Sequence, residues 1–242
     1  MRALIGIAVG LAACRADATE PVCKRILFED VAHIVCDVAR DARISLHLRG
    51  EDGETLGRFD AVAAQLDGPA LMMMNGGMYH ADRAPVGLYI EDGDTVTQLV
   101  TQAGPGNFGL LPNGVFWNDG ERAHVTETLA FDATDAEPDF ATQSGPMLVI
   151  DGALHPRFLP DSDSRKRRNG VGIAGERVVF AISDAPVTFY HFGRLFRDAL
   201  GADNALYLDG SISRIRAPEL GRDEGGGMLG PVIALTAEPD RP

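Results

Sequence analysis

In Leu71-Met72-Met73-Met74-Asn75-Gly76-Gly77, a continuous apolar run ends in a polar, glycine-rich turn. A short apolar run that is bounded by turn residues is typical of a strand buried on both faces. The turn places an amide and two glycines at the end of that strand, where a ligand can approach the backbone closely. The pattern predicts a sheet-based core with a functional loop at its edge.

Strand-like patterns surround this run. Residues 26–48 alternate in a strand-like way, and hairpins are predicted over residues 86–100 and 115–127. Residues 189–201 instead have apolar side chains at helical spacing and end at a glycine. The 28 Gly and 14 Pro favour a turn-rich chain, and no linker divides it. We therefore expect an α+β fold, a single sheet-rich domain over residues 22–242 with helices packed on the sheet.

Three predicted apolar strands each end in a polar cluster that contains glycine. The clusters are Asn75-Gly76-Gly77, Gln143-Ser144-Gly145 and Asp209-Gly210-Ser211-Ile212-Ser213. Glycine lets backbone N–H groups approach a ligand, and Asn, Gln, Ser and Asp side chains are suited to bind sugar hydroxyls. A glycine after a strand is most often only a turn, so each cluster alone predicts little. Taken together, the clusters predict one substrate-binding site where the strand ends converge.

The order of these motifs carries a family resemblance. They are Asn75-Gly76-Gly77-Met78-Tyr79 followed by Pro85-Val86-Gly87-Leu88, then Gln143-Ser144-Gly145-Pro146-Met147, Arg168-Asn169-Gly170-Val171-Gly172 and Leu208-Asp209-Gly210-Ser211. In this order they resemble the motifs of the phosphodiester glycosidase family, over roughly residues 33–235. The resemblance implies a hydrolase that cleaves a sugar from a phosphate. Many members have Asp-Gly-Gly-Gly-Ser at the last motif, so the bulkier residues here predict a tighter pocket and a different substrate.

The leaving group of such a reaction suggests the catalytic residues. A phosphate monoester, with a second pKa of about 6, leaves readily once its charge is neutralised. The site then needs a cation for the phosphate and a carboxylate near the anomeric carbon. Arg168 fits the first role because a guanidinium binds phosphate bidentately, and Asp209 fits the second as nucleophile or general base. Asp184 follows a predicted strand and is a second carboxylate candidate.

The reaction requires no cofactor. A divalent cation near Asp209 is compatible with the carboxylate there, although no spacing of ligands indicates one. Structural interpretations of the same residues stay open: basic runs such as Arg165–Arg168 are usually solvated loops, and an Asp-Gly turn is most often structural. The alternative function is a non-catalytic protein that binds an envelope glycan or polymer on the same fold. Such a protein needs neither a phosphate clamp nor a carboxylate at the anomeric carbon.

The charge of the chain limits its partners. The formal net charge is −13, which disfavours nucleic acid, because binding to nucleic acid needs Lys and Arg against phosphates. The expected partner is a sugar phosphodiester or an envelope glycan. The basic run at residues 165–168 stands out against this acidic background.

Residues 1–18 are predicted to be an export signal. An apolar stretch too short to span a bilayer follows Arg2. Leu11-Ala12-Ala13-Cys14 fits a lipobox, in which Cys14 would carry a lipid, and Ala16-Asp17-Ala18 is a rival cleavage site. We expect an exported protein, either periplasmic or lipid-anchored in the envelope, with a membrane contact only through Cys14.

Two cysteines remain if Cys14 is lipidated or removed. Cys23 and Cys36 are then an isolated pair, and export permits a disulfide between them. Two free buried thiols are the alternative. We expect the disulfide.

Overall fold

The computed structural model describes residues 21–237, so the predicted export signal and Cys14 lie outside the described residues. The strands of this part of the chain are β1 (Cys23–Phe28), β2 (Val31–Ala39), β3 (Ile44–His47), β4 (Ala70–Asn75), β5 (Tyr89–Glu91), β6 (Asp94–Thr97), β7 (Gly114–Asn118), β8 (Ala123–Glu127), β9 (Ala141–Ser144), β10 (Met147–Ile150), β11 (Ala153–Leu154), β12 (Asn169–Ala174), β13 (Arg177–Ser183), β14 (Asn204–Asp209), β15 (Ile215–Ala217), β16 (Arg222–Asp223) and β17 (Val232–Thr236).

The helices are short. They are α1 (Phe59–Ala63), α2 (Thr128–Asp132), α3 (Phe189–Arg194), a π-helical turn at Leu195–Ala199 and a 3₁₀ turn at Pro218–Leu220. Within residues 21–237, none of them is both long and apolar enough to cross a membrane.

The strands form three sheets in which all neighbours are antiparallel. Sheet 1 has the order β1-β2-β13-β12-β14-β10-β11, sheet 2 the order β16-β15-β4-β17-β3, and sheet 3 the order β6-β5-β9-β7-β8. With few and short helices beside them, the fold is α+β and sheet-rich, as predicted.

Sheet 1 is buried on both faces. Along β2, Ile34 and Cys36 contribute to a core shared with sheets 2 and 3, whereas Val35 points to the other face, which packs on α3. The same alternation along β14 sends Leu206 and Leu208 into the shared core and places Tyr207 on the α3 face. Successive side chains of a strand point to opposite faces, so a strand covered on both sides must be apolar throughout.

β4 confirms the prediction from the methionine run. Met72 and Met74 are buried in the core that the sheets share. Met73 points the other way and packs with Phe59 of α1 and with Leu229. Asn75, the last residue of β4, therefore lies at the sheet edge, at the end of a strand that is covered on both faces.

Two helical details differ from the sequence pattern. The helix predicted over residues 189–201 begins with a Thr188 cap, but it changes to a π-helical turn after Arg194. α2 was not predicted because it is a single short turn of the chain. It is held by the Glu127 carboxylate, which accepts hydrogen bonds from the backbone N–H groups of Leu129 and Ala130.

The expected disulfide is present. Cys23 and Cys36 lie directly opposite each other in the β1–β2 ladder, their sulfurs are bonded, and both residues are buried. Their separation of 13 residues closes a short loop at the edge of sheet 1. A cross-link of this size restricts the unfolded chain and stabilises a protein by about 3 kcal/mol.

Replacing both cysteines by alanine (Cys23→Ala with Cys36→Ala) should therefore lower the free energy of unfolding by about 2–4 kcal/mol. Urea unfolding followed by circular dichroism measures the change. Leu27→Ala is the matched control, because Leu27 is in the same strand but 71% exposed, and it should cost less than about 0.5 kcal/mol. Two titratable thiols at these positions in the denatured, unreduced protein would contradict the prediction.

Candidate functional site

The structure brings the three predicted clusters together. β4, β9 and β14 belong to three different sheets and end side by side. The Thr142 hydroxyl donates to the Gly76 carbonyl over 2.7 Å, and the Ser144 hydroxyl donates to the Leu208 carbonyl over 3.0 Å. These buried bonds tie the sheet 3 cluster to the other two. The strand ends therefore form one edge, at which Asp209 is located.

A buried amide network fixes the backbone at this edge. The Asn169 side-chain amide donates to the Asn75 carbonyl over 2.9 Å, and the Asn75 side-chain oxygen accepts from the backbone N–H of Arg214 over 2.9 Å. The Ser213 hydroxyl lies 3.2 Å from the Asn169 side-chain oxygen and 2.8 Å from the Asp209 carbonyl. Asn75 and Ser213 thus position the loop that carries Asp209.

Gln143 has a similar supporting position. Its side-chain oxygen accepts from the backbone N–H groups of Leu88 and Val100, at 3.1 and 3.0 Å. Its side-chain nitrogen donates to the Val100 carbonyl and to the Thr128 hydroxyl, at 2.7 and 3.1 Å. Both polar atoms of this buried side chain therefore have protein partners, and they hold the neighbouring loops in place.

The glycines of the first two clusters allow the chain to pack closely on itself. Gly77 has a φ of 150°, and a Cβ there would come within 2.9 Å of the Thr142 hydroxyl. Gly76 is packed against β17, and a Cβ on Gly145 would overlap Asn113. The sheets can approach one another at this edge because these side chains are missing.

Asp209 is partly exposed at the end of β14. Burial raises the pKa of its carboxyl group to about 6, and the backbone N–H groups of Gly210, Ser211 and Ile212 oppose that rise. The Gly210 N–H donates to the carboxylate directly. Ser211 is exposed, so the loop of backbone donors around Asp209 reaches the solvent. The result is a carboxylate that is ionised near neutral pH but close to its protonated form.

Arg168 is buried, with an exposed fraction of only 1%. Its Nε donates to the Val187 carbonyl over 2.9 Å, and its Nη2 donates to the Ser164 carbonyl over 3.0 Å. The guanidinium lies 3.6 Å above the Phe189 ring of α3. Its buried Nη1 has no partner among the described residues, and none of the ion pairs within residues 21–237 includes Arg168. Desolvation lowers the pKa of this guanidinium, and a buried cation of this kind favours a nearby anion.

Asp184 is placed differently from Asp209. Its carboxylate pairs with Arg222 at 3.0 Å and with Arg25 at 3.3 Å. Arg222 also pairs with Glu224, whose carboxylate receives two hydrogen bonds of 2.7 Å from Arg167. Asp184 therefore belongs to a chain of compensated charges, and its oxygens are occupied by arginines.

Tyr207 is a site residue that the sequence patterns did not reveal. It lies two positions before Asp209 on β14, with its ring against Phe189 at 4.8 Å between centroids. Its hydroxyl faces the Arg168 guanidinium and the Asn107 side chain. Its spacing from Asp209 is the sequence feature that could have revealed it, because residues i and i+2 of a strand share a face. A tyrosine in an apolar strand otherwise looks like a core residue.

Metal ligands do not cluster in the described part of the chain. Within residues 21–237, no group of three or more His, Cys, Asp or Glu side chains is arranged to hold a metal ion. The site at Asp209 is thus built from one carboxylate, a buried guanidinium, a tyrosine hydroxyl and backbone donors.

Comparisons with known proteins give this arrangement a context. The Escherichia coli K12 protein described as "Uncharacterized protein YigE" is 39% identical over 176 residues, which are 72% of this chain and 69% of that one. The zebrafish N-acetylglucosamine-1-phosphodiester alpha-N-acetylglucosaminidase catalytic domain, auto-inhibited by its pro-peptide, has the same fold at 15% identity. That match has a TM-score of 0.66 and covers 91% of this chain and 85% of that one.

A hypothetical protein from Synechocystis is a more distant structural match. It is 13% identical with a TM-score of 0.52, and the alignment covers 89% of this chain and 61% of that one. The family model of phosphodiester glycosidases matches residues 69–216, a range that includes Asn75, Arg168 and Asp209. Because that match spans more than half of the 242 residues, this chain belongs to the phosphodiester glycosidase family.

Proposed function

We propose that this protein hydrolyses a glycosyl phosphodiester at the bond between the anomeric carbon and the phosphate oxygen. The observation that carries the proposal is a pair of charges at one edge of sheet 1. The partly exposed Asp209 carboxylate lies at the end of β14, and the buried Arg168 guanidinium precedes the neighbouring strand β12 without an acidic partner among the described residues. A negatively charged leaving group would supply the missing anion.

The reaction follows from the chemistry of that leaving group. The bond from the anomeric carbon to the phosphate oxygen breaks, and its electron pair leaves with a phosphate monoester. The monoester is a good leaving group, so a strong general acid is unnecessary. A water molecule supplies the hydroxyl group of the released sugar. Asp209 either takes the proton of that water or first forms a glycosyl ester that water then hydrolyses.

The relatives support the linkage class. The zebrafish enzyme is named for removing N-acetylglucosamine from a phosphodiester, and we extend to this chain only the type of bond. In the loop after Asp209, Ser211 and Ile212 stand where many family members have two glycines, so we expect a tighter pocket. The shape of this loop would therefore decide which sugar, and which group on the other side of the phosphate, the site accepts.

We also propose that the protein acts outside the cytoplasm, in the periplasm or anchored to the envelope through Cys14. The Cys23–Cys36 disulfide supports this location, because such bonds persist in oxidising compartments. The predicted export signal at residues 1–18 points the same way.

The test is a screen of the purified protein against a panel of sugar phosphodiesters, with released reducing sugar as the readout. Sugar release that disappears in an Asp209→Asn variant supports the proposal. If no phosphodiester is cleaved but glycans bind, the protein is instead a non-catalytic binding protein of the envelope.

Asp209→Asn should reduce turnover by about a thousandfold, because the amide keeps the size of the side chain but can neither attack nor accept a proton. Steady-state kinetics on the best substrate of the screen measures the loss, and thermal unfolding should show little change. Asp184→Asn is the matched control for a carboxylate at the same edge. Wild-type turnover in the Asp209 variant would show that Asp209 is structural, and Asp184 would become the leading candidate for the catalytic carboxylate.

The rate should also fall on the acid side of the pH profile. The pKa of Asp209 is raised to about 6, so its carboxylate is present above that pH and becomes protonated as the pH falls through it. Because kcat/KM reports the ionisation of the free enzyme, it should decline with an apparent pKa near that value. A profile that stays flat between about pH 5 and about pH 8 would exclude an ionised Asp209 as the essential group.

Arg168→Ala should lower kcat/KM at least about tenfold, since a charge-assisted hydrogen bond is worth about 1.5–3 kcal/mol. Lys166→Ala is the control, because Lys166 is an exposed cation two positions earlier, and its effect should be smaller. Arg168→Met keeps much of the buried volume and separates loss of charge from a cavity. Equal losses from the Arg168 and Lys166 variants would indicate a diffuse electrostatic effect.

A further inference from the structure

The hydroxyl group of Tyr207 has surroundings that differ from those of a core tyrosine. The residue is 1% exposed and its ring is packed on the α3 face of sheet 1. The hydroxyl, however, points along the strand toward Gly210, beside Asp209. The side chains of Arg168 and Asn107 lie within hydrogen-bonding reach of its oxygen. Both side chains can donate to that oxygen, so the proton of the hydroxyl is left to donate to a ligand.

Gly210 is the residue that leaves room for this hydroxyl. A Cβ at position 210 would overlap the Tyr207 hydroxyl oxygen, whereas it would lie 3.5 Å from the ring carbon that bears that oxygen. Gly210 is not among the described residues with positive φ, so its backbone conformation does not require glycine. Glycine at position 210 therefore leaves the space that the Tyr207 hydroxyl occupies.

Arg168 provides positive charge behind the hydroxyl. Its guanidinium carbon lies 5.4 Å from the centre of the Tyr207 ring, and the whole residue is 1% exposed. Two of its nitrogens are held by backbone carbonyls, which leaves Nη1 as the unpartnered atom among the described residues. This cation can act on a bound anion directly through Nη1 and also through the group in front of it. That group is the Tyr207 hydroxyl, which burial keeps in its protonated, donor form by raising its pKa.

We propose that the Tyr207 hydroxyl, with Arg168 behind it and Gly210 beside it, binds a non-bridging oxygen of the substrate's phosphate group. Tyr207 is then the residue that selects an anionic leaving group, and Arg168 polarises its hydroxyl. This inference rests on the proposed function and assigns the phosphate end of the same site.

Binding of inorganic phosphate tests the proposal without catalysis. NMR titration or calorimetry on the purified wild type, Tyr207→Phe and Lys166→Ala should show that loss of the hydroxyl weakens phosphate binding by about tenfold or more. Lys166→Ala should weaken it much less, and the melting temperature of Tyr207→Phe should stay near the wild-type value. Equal affinities of the wild type and Tyr207→Phe, or no binding by the wild type, would overturn the proposal.

A double-mutant cycle tests the role of Gly210. Gly210→Ala should displace the hydroxyl and strongly weaken phosphate binding in the wild-type background. In Tyr207→Phe the same change meets no oxygen, so its additional effect should be small. The same fold-change in both backgrounds would show that Gly210 does not make room for the hydroxyl, and the proposal would fail.

The outcomes separate this inference from the proposed function. If phosphate binding depends on the hydroxyl but no sugar phosphodiester is cleaved, the phosphate site stands and the hydrolase proposal fails. If phosphodiesters are cleaved and Tyr207→Phe keeps the wild-type kcat/KM, the hydrolase proposal stands and the assignment of Tyr207 fails.

Discussion

The side-chain amide of Asn169 connects the sheets on which the site depends. Asn169 is the first residue of β12 in sheet 1. Its side-chain amide donates to the Asn75 carbonyl at the end of β4 in sheet 2 and lies beside the Ser213 hydroxyl in the loop after β14. All of these groups are buried, and a buried polar group that loses its partner costs about 1–3 kcal/mol. The network therefore favours the observed arrangement of the strand ends. These bonds hold the loop that follows Asp209 and so help to position its carboxylate.

The arginines near this edge are of two kinds. Arg167 pairs with Glu224, and Arg222 pairs with both Glu224 and Asp184, so their charges are compensated within the protein. Arg168, next in sequence to Arg167, instead stacks on Phe189 and has no ion-pair partner among residues 21–237. Adjacent side chains in an extended segment point to opposite sides, which explains why two neighbouring arginines have such different surroundings. The chain as a whole is acidic, but Arg168, the one buried arginine or lysine among residues 21–237, faces the site.

The same burial acts on both members of the site. It raises the pKa of Asp209 by disfavouring its charged form, and it lowers the pKa of Arg168 for the same reason. An anion bound near Arg168 would relieve part of that cost, whereas it would make ionised Asp209 less favourable. A phosphodiester, with its negative charge on the phosphate and a neutral sugar at the carboxylate, matches this division. These charges would therefore orient the proposed substrate as well as bind it.

The sequence by itself determined the buried strands, the family and the edge at which the clusters meet, whereas it only favoured the Cys23–Cys36 disulfide over two free thiols. These features depend on local apolar patterns and on motif order, which a single chain displays directly. Only the tertiary structure decided which polar residues support the site and which remain available within it. Asn75 and Asn169 are 94 residues apart, and the ion pairs of Asp184 come from two distant segments. Burial of Arg168 against Phe189 and the position of the Tyr207 hydroxyl next to Gly210 depend on how α3 packs on sheet 1. Hydrogen-bond partners and desolvation are set by neighbours in space, so no spacing along the chain reports them.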